Sequence, residues 1–367
     1  MLALHLMNKT RDKRNIRITD IVELGLLAFV AACRLWTPVA DYYAERLFPA
    51  VSAGLSWPAS LVPFPLEELV VTAFFVGLLA VLVRAVRRKE GFLRWLGRSA
   101  RLVMWLLVWF YLGWGCNYFR TPLYARLGVK PAHFELEAFR QFLSEYTGIL
   151  DGAAGSPVEW EPSAVEQAVK DFYAERGAAC GYTPLRCWQH VKQPLLNPLY
   201  SAVSVMGWLG PFFCEAQVNR DVPRTQYPST MAHELAHLSG VTGEGEANYW
   251  AYAFCRQSNI PAVRYSGCLS ILPYVAQNAR ALLPEEEYRS WMERVPQRAK
   301  DDTAANRQFW ESKRIPLIER VQRWIMDLFL KSNGVSAGKR DYSGVVGIIM
   351  TMDGAHLLVA RREPGEQ

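Results

Sequence analysis

The chain has 367 residues, 51% of them hydrophobic and 21% charged, with a formal net charge of +6. That length accommodates a membrane anchor plus one sizeable globular domain, and that composition excludes a disordered chain. Seven scattered cysteines exclude a disulfide-stapled mini-protein, and the aromatic-rich, weakly basic balance excludes a nucleic-acid-binding tail.

The apolar residues gather at the front. Residues 21–36 are apolar apart from Glu23 and Arg34, residues 69–83 carry no charge, and residues 102–119 carry none and are rich in Trp and Leu. With their flanks these runs reach the roughly 17–25 residues that a spanning helix needs. They predict three transmembrane helices near 19–39, 64–84 and 101–119. Lys9, Arg11, Lys13, Arg14 and Arg17 precede the first run, and seven basic residues from Arg84 to Arg101 join the second to the third. The connection over 37–64 holds Arg46 as its one basic residue. By the positive-inside rule the N-terminus is cytoplasmic, and everything after residue 119 is extracytoplasmic.

Residues 120–345 read as one domain, with a loop over 148–162. Amphipathic patterns predict helices over 135–150 and 163–176. Short β-branched and aromatic segments at 200–205 and 212–218, bracketed by Gly207, Gly210 and Pro211, predict a hairpin. Helical patterns dominate from 229 to about 330, with Asp301 and Asp302 as a helix cap. The fold class is α+β, mostly helical. The tail, 346–367, reads as a hairpin around Asp353-Gly354.

Chemistry concentrates in Tyr227-Pro-Ser-Thr-Met-Ala-His233-Glu234-Leu-Ala-His237-Leu-Ser-Gly240. Ser229 or Thr230 starts a helix and Gly240 stops it. His233 and His237, four apart, stand on one helix face one turn from each other, so both imidazoles reach one ion. Glu234 projects beside them, placed to take a proton from water rather than to bind the metal. A catalytic zinc site needs a third protein ligand. The segment Glu244-Gly-Glu246-Ala247-Asn248 follows closely and starts a second helix.

These residues resemble the zincin metallopeptidases of the glutamate-zincin branch, in which a Glu-x-x-Ala-Asp/Asn segment after His-Glu-x-x-His supplies the third ligand. The resemblance implies Glu244 as that ligand, with Glu246 as the alternate, and Asn248 as an outer group orienting a ligating histidine. The wider chain, about residues 20–345, also looks like an uncharacterised family of bacterial three-pass membrane proteins. The shared features are the Gly113-Trp-Gly-Cys-Asn-Tyr-Phe-Arg120 exit from the third run, the HELAH helix, the Glu-x-Glu-Ala-Asn segment and the Leu-Lys-Ser-Asn-Gly element at 330–334.

What the resemblance implies is a membrane-anchored zinc endopeptidase with Zn2+ as cofactor, a peptide or protein as substrate and the lipid bilayer as partner. Glu234 is then the general base. Tyr252, Tyr265 and His190 are candidates for the oxyanion donor. The strand at 212–218 would pair with an extended substrate, with Glu215 and Asn219 lining the cleft. Asn117, Tyr118 and Arg120 read as interfacial anchors. The alternative is a non-hydrolytic receptor or regulator retaining a zinc-binding zincin domain.

Overall fold

Four helices, α1 (Ile18–Leu35), α2 (Phe48–Ser60), α3 (Leu66–Arg87) and α4 (Phe92–Gly113), form the front of the molecule. The computed structural model describes residues 18–131, 135–155, 157, 159–333 and 344–354. Among them, α3 is the one helix long and apolar enough to cross a membrane. The other two expected spans are shorter in their apolar part. α1 ends at Leu35 and carries Asp20, Glu23 and Arg34. α4 begins early, so that Arg94, Arg98 and Arg101 lie within it, and stops at Gly113 rather than 119. There Trp114 leaves helical geometry (φ −158°), and residues 115–119 turn into a 3-10 segment whose Cys116 and Asn117 are fully buried.

Charges cluster at one end of these helices. Arg101 of α4 pairs with Asp20 and Glu23 of α1, while Glu90 pairs with Arg84 and Arg98. The start of α1, the end of α3 and the start of α4 therefore share one end, and the start of α3 lies with the end of α4 at the other.

Residues 37–60 are helical rather than a simple connection, and Tyr43 and Phe48 enter the same hydrophobic core as the later helices. Gln189 Nε2 donates to Ser52 Oγ (3.0 Å), Trp188 Nε1 to Ser56 Oγ (3.1 Å) and Trp109 Nε1 to the Phe212 carbonyl (2.8 Å). Contacts thus cross the expected domain boundary at 119.

α5 (Leu136–Ala154) and α6 (Pro162–Phe172) follow their amphipathic patterns. α5 buries Phe139, Phe142, Leu143, Tyr146 and Leu150 at helical spacing and runs into the first part of the expected loop, to Ala154, burying Ala153 and Ala154. The strand expected over 200–205 is instead α7 (Asn197–Ala202), because Pro198 in the first turn favours a helix start over the β-branched pattern. The hairpin exists one step later: β1 (Gly207–Gly210) pairs antiparallel with β2 (Glu215–Val218), with Gly207 opposite Val218. Lys192 bonds Ala216 and Val218 on the far edge of β2, whereas no further strand pairs with β1 among the described residues.

Seven helices complete the chain: α8 (Tyr227–Leu238), α9 (Glu244–Gln257), α10 (Pro261–Leu282), α11 (Glu285–Arg294), α12 (Gln297–Lys313), α13 (Pro316–Ser332) and α14 (Val345–Gly354). Ala232 and Ala236 of α8 and Ala247 and Ala251 of α9 are buried, small enough to let the two helices pack closely. Asp301 and Asp302 lie inside α12 and cap nothing, and Asp302 accepts from the Tyr265 hydroxyl (2.7 Å).

The tail hairpin is also replaced by a helix. Val345, Val346, Ile349 and Met352 all bury against the core, and Asp353 forms a two-bond ion pair with Arg256 of α9 (2.7 and 2.8 Å). Helical spacing puts those four side chains on one face, which a period of two would split. The remainder of the predicted hairpin, 355–360, lies outside the described residues. Cys33, Cys116, Cys180, Cys187, Cys214, Cys255 and Cys268 are all free thiols.

Candidate metal centre

α8 is a buried helix with polar groups at chosen points. Met231, Ala232, Leu235, Ala236 and Leu238 are each at most 1% exposed, and Glu234 and His237 are buried with them. The helix begins at Tyr227, earlier than expected, with Pro228 in its first turn. Ser229 and Thr230 both donate back to the Gln226 carbonyl (2.9 Å each).

Its end builds part of the site. Gly240 takes φ +102°, open to glycine without strain, and the Gly240 and Val241 amides bond the carbonyls of His237 (3.0 Å) and Ala236 (3.1 Å). This turn swings the Val241 carbonyl under His237, whose Nδ1 donates to it at 2.8 Å. That bond leaves Nε2 to face the cluster, the usual way an outer partner orients a ligating imidazole. Trp114, at the end of α4, donates from Nε1 to the His237 carbonyl (2.8 Å) and sets its ring edge-on to the imidazole.

α9 starts at Glu244, with Gly243 as its extended N-cap. Glu244 therefore occupies the first helical position, where the helix dipole favours a carboxylate. Its Oε2 lies 3.2 Å from His233 Nε2 and 3.4 Å from His237 Nε2, and the two imidazole nitrogens are 3.0 Å apart. The three ligand atoms form one compact cluster. Tetrahedral zinc with bonds of about 2.0–2.1 Å sets its ligand atoms roughly 3.4 Å apart. Two nitrogens and one carboxylate oxygen at 3.0–3.4 Å fit such an ion.

The electrostatics follow from burial. Burial raises the Glu244 carboxyl, but the two histidines beside it hold it well below the usual carboxylate range. Burial lowers the His237 imidazole, and the Glu244 carboxylate overrides this and lifts it to about 9. For Glu234, burial raises the carboxyl to about 7 against the opposing pull of His233 and His237. Glu234 also packs on the hairpin: a Cβ at Gly207 would lie 2.5 Å from its Cγ and 2.6 Å from its Cδ. Glycine is required there for that approach.

The other expected site residues lie elsewhere. Glu246 is two residues beyond Glu244, so it points away, accepting from the Tyr182 hydroxyl and from Trp250 Nε1 (3.2 Å). Asn248 orients no histidine; its buried Nδ2 has no hydrogen-bond partner among the described residues. Tyr252 is buried and packs on Tyr146, Tyr265 is bonded to Asp302, and exposed His190 pairs with Glu166 (2.6 Å).

Glu215 does not line a cleft. Its carboxylate accepts from the Leu66 and Glu67 amides (3.2 and 3.1 Å) and from Lys192 Nζ (2.8 Å), capping the start of α3. Buried Asn219 holds the 201–205 turn through Ser201 and Val205. Because Lys192 covers the outer edge of β2, the open strand edge beside Glu234 belongs to β1, not to the segment 212–218. Asn117 and Arg120 are buried rather than interfacial. Asn117 donates to the Trp114 carbonyl (2.8 Å), and Arg120 reaches the Gly181 carbonyl (2.8 Å) over the Tyr182 ring.

Trp114, Val241, Gly207 and Tyr274 are the site neighbours that spacing alone did not reveal. Tyr274 is on α10. Burial and then the Glu244 charge raise its phenol. Trp114 lies within the 113–120 exit and Val241 in the turn between the two helices, and neither carries a chemical signal of its own in the sequence.

Residues 43–350 match the model of a family described as protein of unknown function (DUF3810). No curated protein and no solved structure matches the chain.

Proposed function

From the membership of this chain in the DUF3810 family, whose description assigns no activity, we propose on the strength of the site that it is a membrane-anchored zinc-dependent metallopeptidase. One observation carries the reading: His233, His237 and Glu244 converge on a single point, with the buried Glu234 beside them. A purely structural ion has no use for such a carboxylate. Zinc held there would polarise a peptide carbonyl and lower the pKa of a bound water to about 7.

The chain's own residues supply the rest. Glu234, lifted to about 7 by burial, takes the proton of the attacking water and delivers it to the leaving amine. Gly207 keeps β1 against Glu234, and the open β1 edge would pair with an extended peptide beside the base. Tyr252, Tyr265 and His190 are engaged elsewhere, and Tyr274 of α10, whose phenol senses the Glu244 charge, is the candidate carried forward for the developing oxyanion.

The same proposal places the chain in a bacterial plasma membrane with three passes. α1 and α4 would cross beside α3, the N-terminus would be cytoplasmic and the metal domain extracytoplasmic. The gathering of Arg84, Arg98 and Arg101 at one helix end supports that orientation.

The test is zinc content and peptide-library cleavage by the purified full chain, with Glu234→Gln alongside. The proposal expects one zinc per chain in both and a loss of roughly 10²–10⁴ in kcat for the variant. Equal cleavage by both proteins would remove Glu234 as the base. Zinc retained with no cleavage by either would favour a receptor or regulator.

A further inference from the structure

The helix that follows α12 presents an apolar face that no other described residue covers. Along α13, Leu317, Val321, Trp324 and Leu328 recur at intervals of four, three and four, and Ile318 and Ile325 flank them. All six are exposed, Leu317 by 70% and Trp324 by 68%. The opposite face meets the body: Leu330 is buried and Met326 is half-buried. The apolar face thus points outward by construction, which soluble surfaces rarely tolerate over such a length.

The two ends of α13 fix where that face lies. At its start, the Ile315 amide donates to the Ala202 carbonyl at the end of α7 (2.8 Å). Just before α7, the Leu196 amide bonds the Glu68 carboxylate in the first turn of α3 (3.2 Å). At its finish, Asn333 Oδ1 accepts from the Tyr111 hydroxyl in the last turn of α4 (3.0 Å). The helix therefore runs from near the start of α3 to the end of α4, across the end of the bundle from which the metal domain emerges. Leu196 and Leu199 are exposed at the same level. Residues 313–331 carry five basic groups (Lys313, Arg314, Arg320, Arg323, Lys331) against Glu319 and Asp327, a balance suited to anionic headgroups.

We propose that α13 lies in the plane of the outer membrane–water interface, its Leu317–Val321–Trp324–Leu328 face sunk into the headgroup–acyl boundary of the bilayer. The inference rests on the membrane reading of α3 and adds a surface contact to it. It also has a route to the metal site, because α12, which leads into α13, bonds the start of α8 through Trp310 Nε1 to Gln226 Oε1 (3.0 Å). The bilayer would then set the height of the metal helix above the membrane.

The experiment uses the full chain in nanodiscs of mixed anionic and zwitterionic lipid, with exposed Cys187 replaced by Ser. Nitroxide labels are placed singly at Val321→Cys, Trp324→Cys, Arg323→Cys and Leu79→Cys, the last on an exposed position of α3. Collision with oxygen and with a water-soluble nickel chelate is then read for each. The proposal expects labels 321 and 324 to gain oxygen contact and lose nickel contact, as label 79 does, while label 323 keeps nickel contact. Nickel contact at 321 and 324 with label 79 in lipid overturns the α13 assignment alone. Nickel contact at all of them overturns the membrane reading with it. Spin–spin broadening at 321 and 324 would show a second copy on this face and likewise overturn the proposal.

Discussion

Glu244 and Glu246 stand two residues apart on α9, both half-buried, yet they belong to different kinds of region. Glu244 meets His233 and His237, whose Nε2 atoms crowd its Oε2 at 3.2 and 3.4 Å. Glu246 meets Tyr182 and Trp250, with Arg126 bonded to the same phenol (2.5 Å) and Arg120 stacked over its ring. In one region two imidazole nitrogens and a carboxylate oxygen converge in a cluster that could hold a metal ion. In the other, a hydroxyl and an indole N–H donate to the acceptor, and two guanidinium groups lie around them. Burial alone therefore does not mark a functional carboxylate; the sign and number of the groups facing it do.

The sharpest way to break this comparison is to remove each carboxylate in turn. Glu244→Ala should lose stoichiometric zinc and all cleavage, whereas Glu246→Ala should keep its zinc, as metal analysis of the two proteins would reveal. A Glu246→Ala protein without zinc would show that the ligand had been assigned to the wrong residue.

Tyr274→Phe tests whether the region of Glu244 extends to α10. It should lower kcat by roughly 10²–10³ with zinc content unchanged. Wild-type turnover in this variant would return Tyr274 to a packing role. Gly207→Ala tests the hairpin side, since the added methyl must displace Glu234. Misplacing a catalytic group by about an ångström costs on the order of 10² in kcat. The smallest effect belongs to the Arg–Tyr region. Glu246→Ala should reduce folding stability by about 2 kcal/mol in denaturant titration, because it strips a charged acceptor from two buried donors.

How far the sequence reached depends on whether a feature was local. His233, Glu234 and His237 were legible because a helix fixes their mutual placement within four residues. Glu244 and Glu246 were left as alternatives, since the choice turns on where α9 begins, and Gly243 in extended geometry decides that. The strand at 200–205 was misplaced because Pro198 outweighed the β-branched pattern after it. The Asp353-Gly354 turn signal was overridden by tertiary packing: Asp353 binds Arg256, and four apolar residues of α14 bury together. The supports of the site from Trp114 and Tyr173, which donates to the Ala232 carbonyl (2.8 Å), come from more than fifty residues away and left no local trace.

Part of the front was legible and part was not. The uncharged run at 69–83 became α3, the one described helix that meets the length and apolarity of a membrane span. The run at 102–119 was read as a single helix, but Trp114 turns inward to His237 and takes residues 115–119 with it. A hydropathy pattern cannot separate lipid-facing tryptophan from tryptophan that packs on the His233–His237 helix.

Zinc K-edge X-ray absorption on the purified full chain tests the central claim most directly. The account predicts one zinc per chain with nitrogen and oxygen neighbours at about 2.0–2.2 Å, two of them with the outer scattering of imidazole, and no sulfur. A spectrum with sulfur near 2.3 Å, one with a single imidazole, or a protein that takes up no stoichiometric zinc would contradict it.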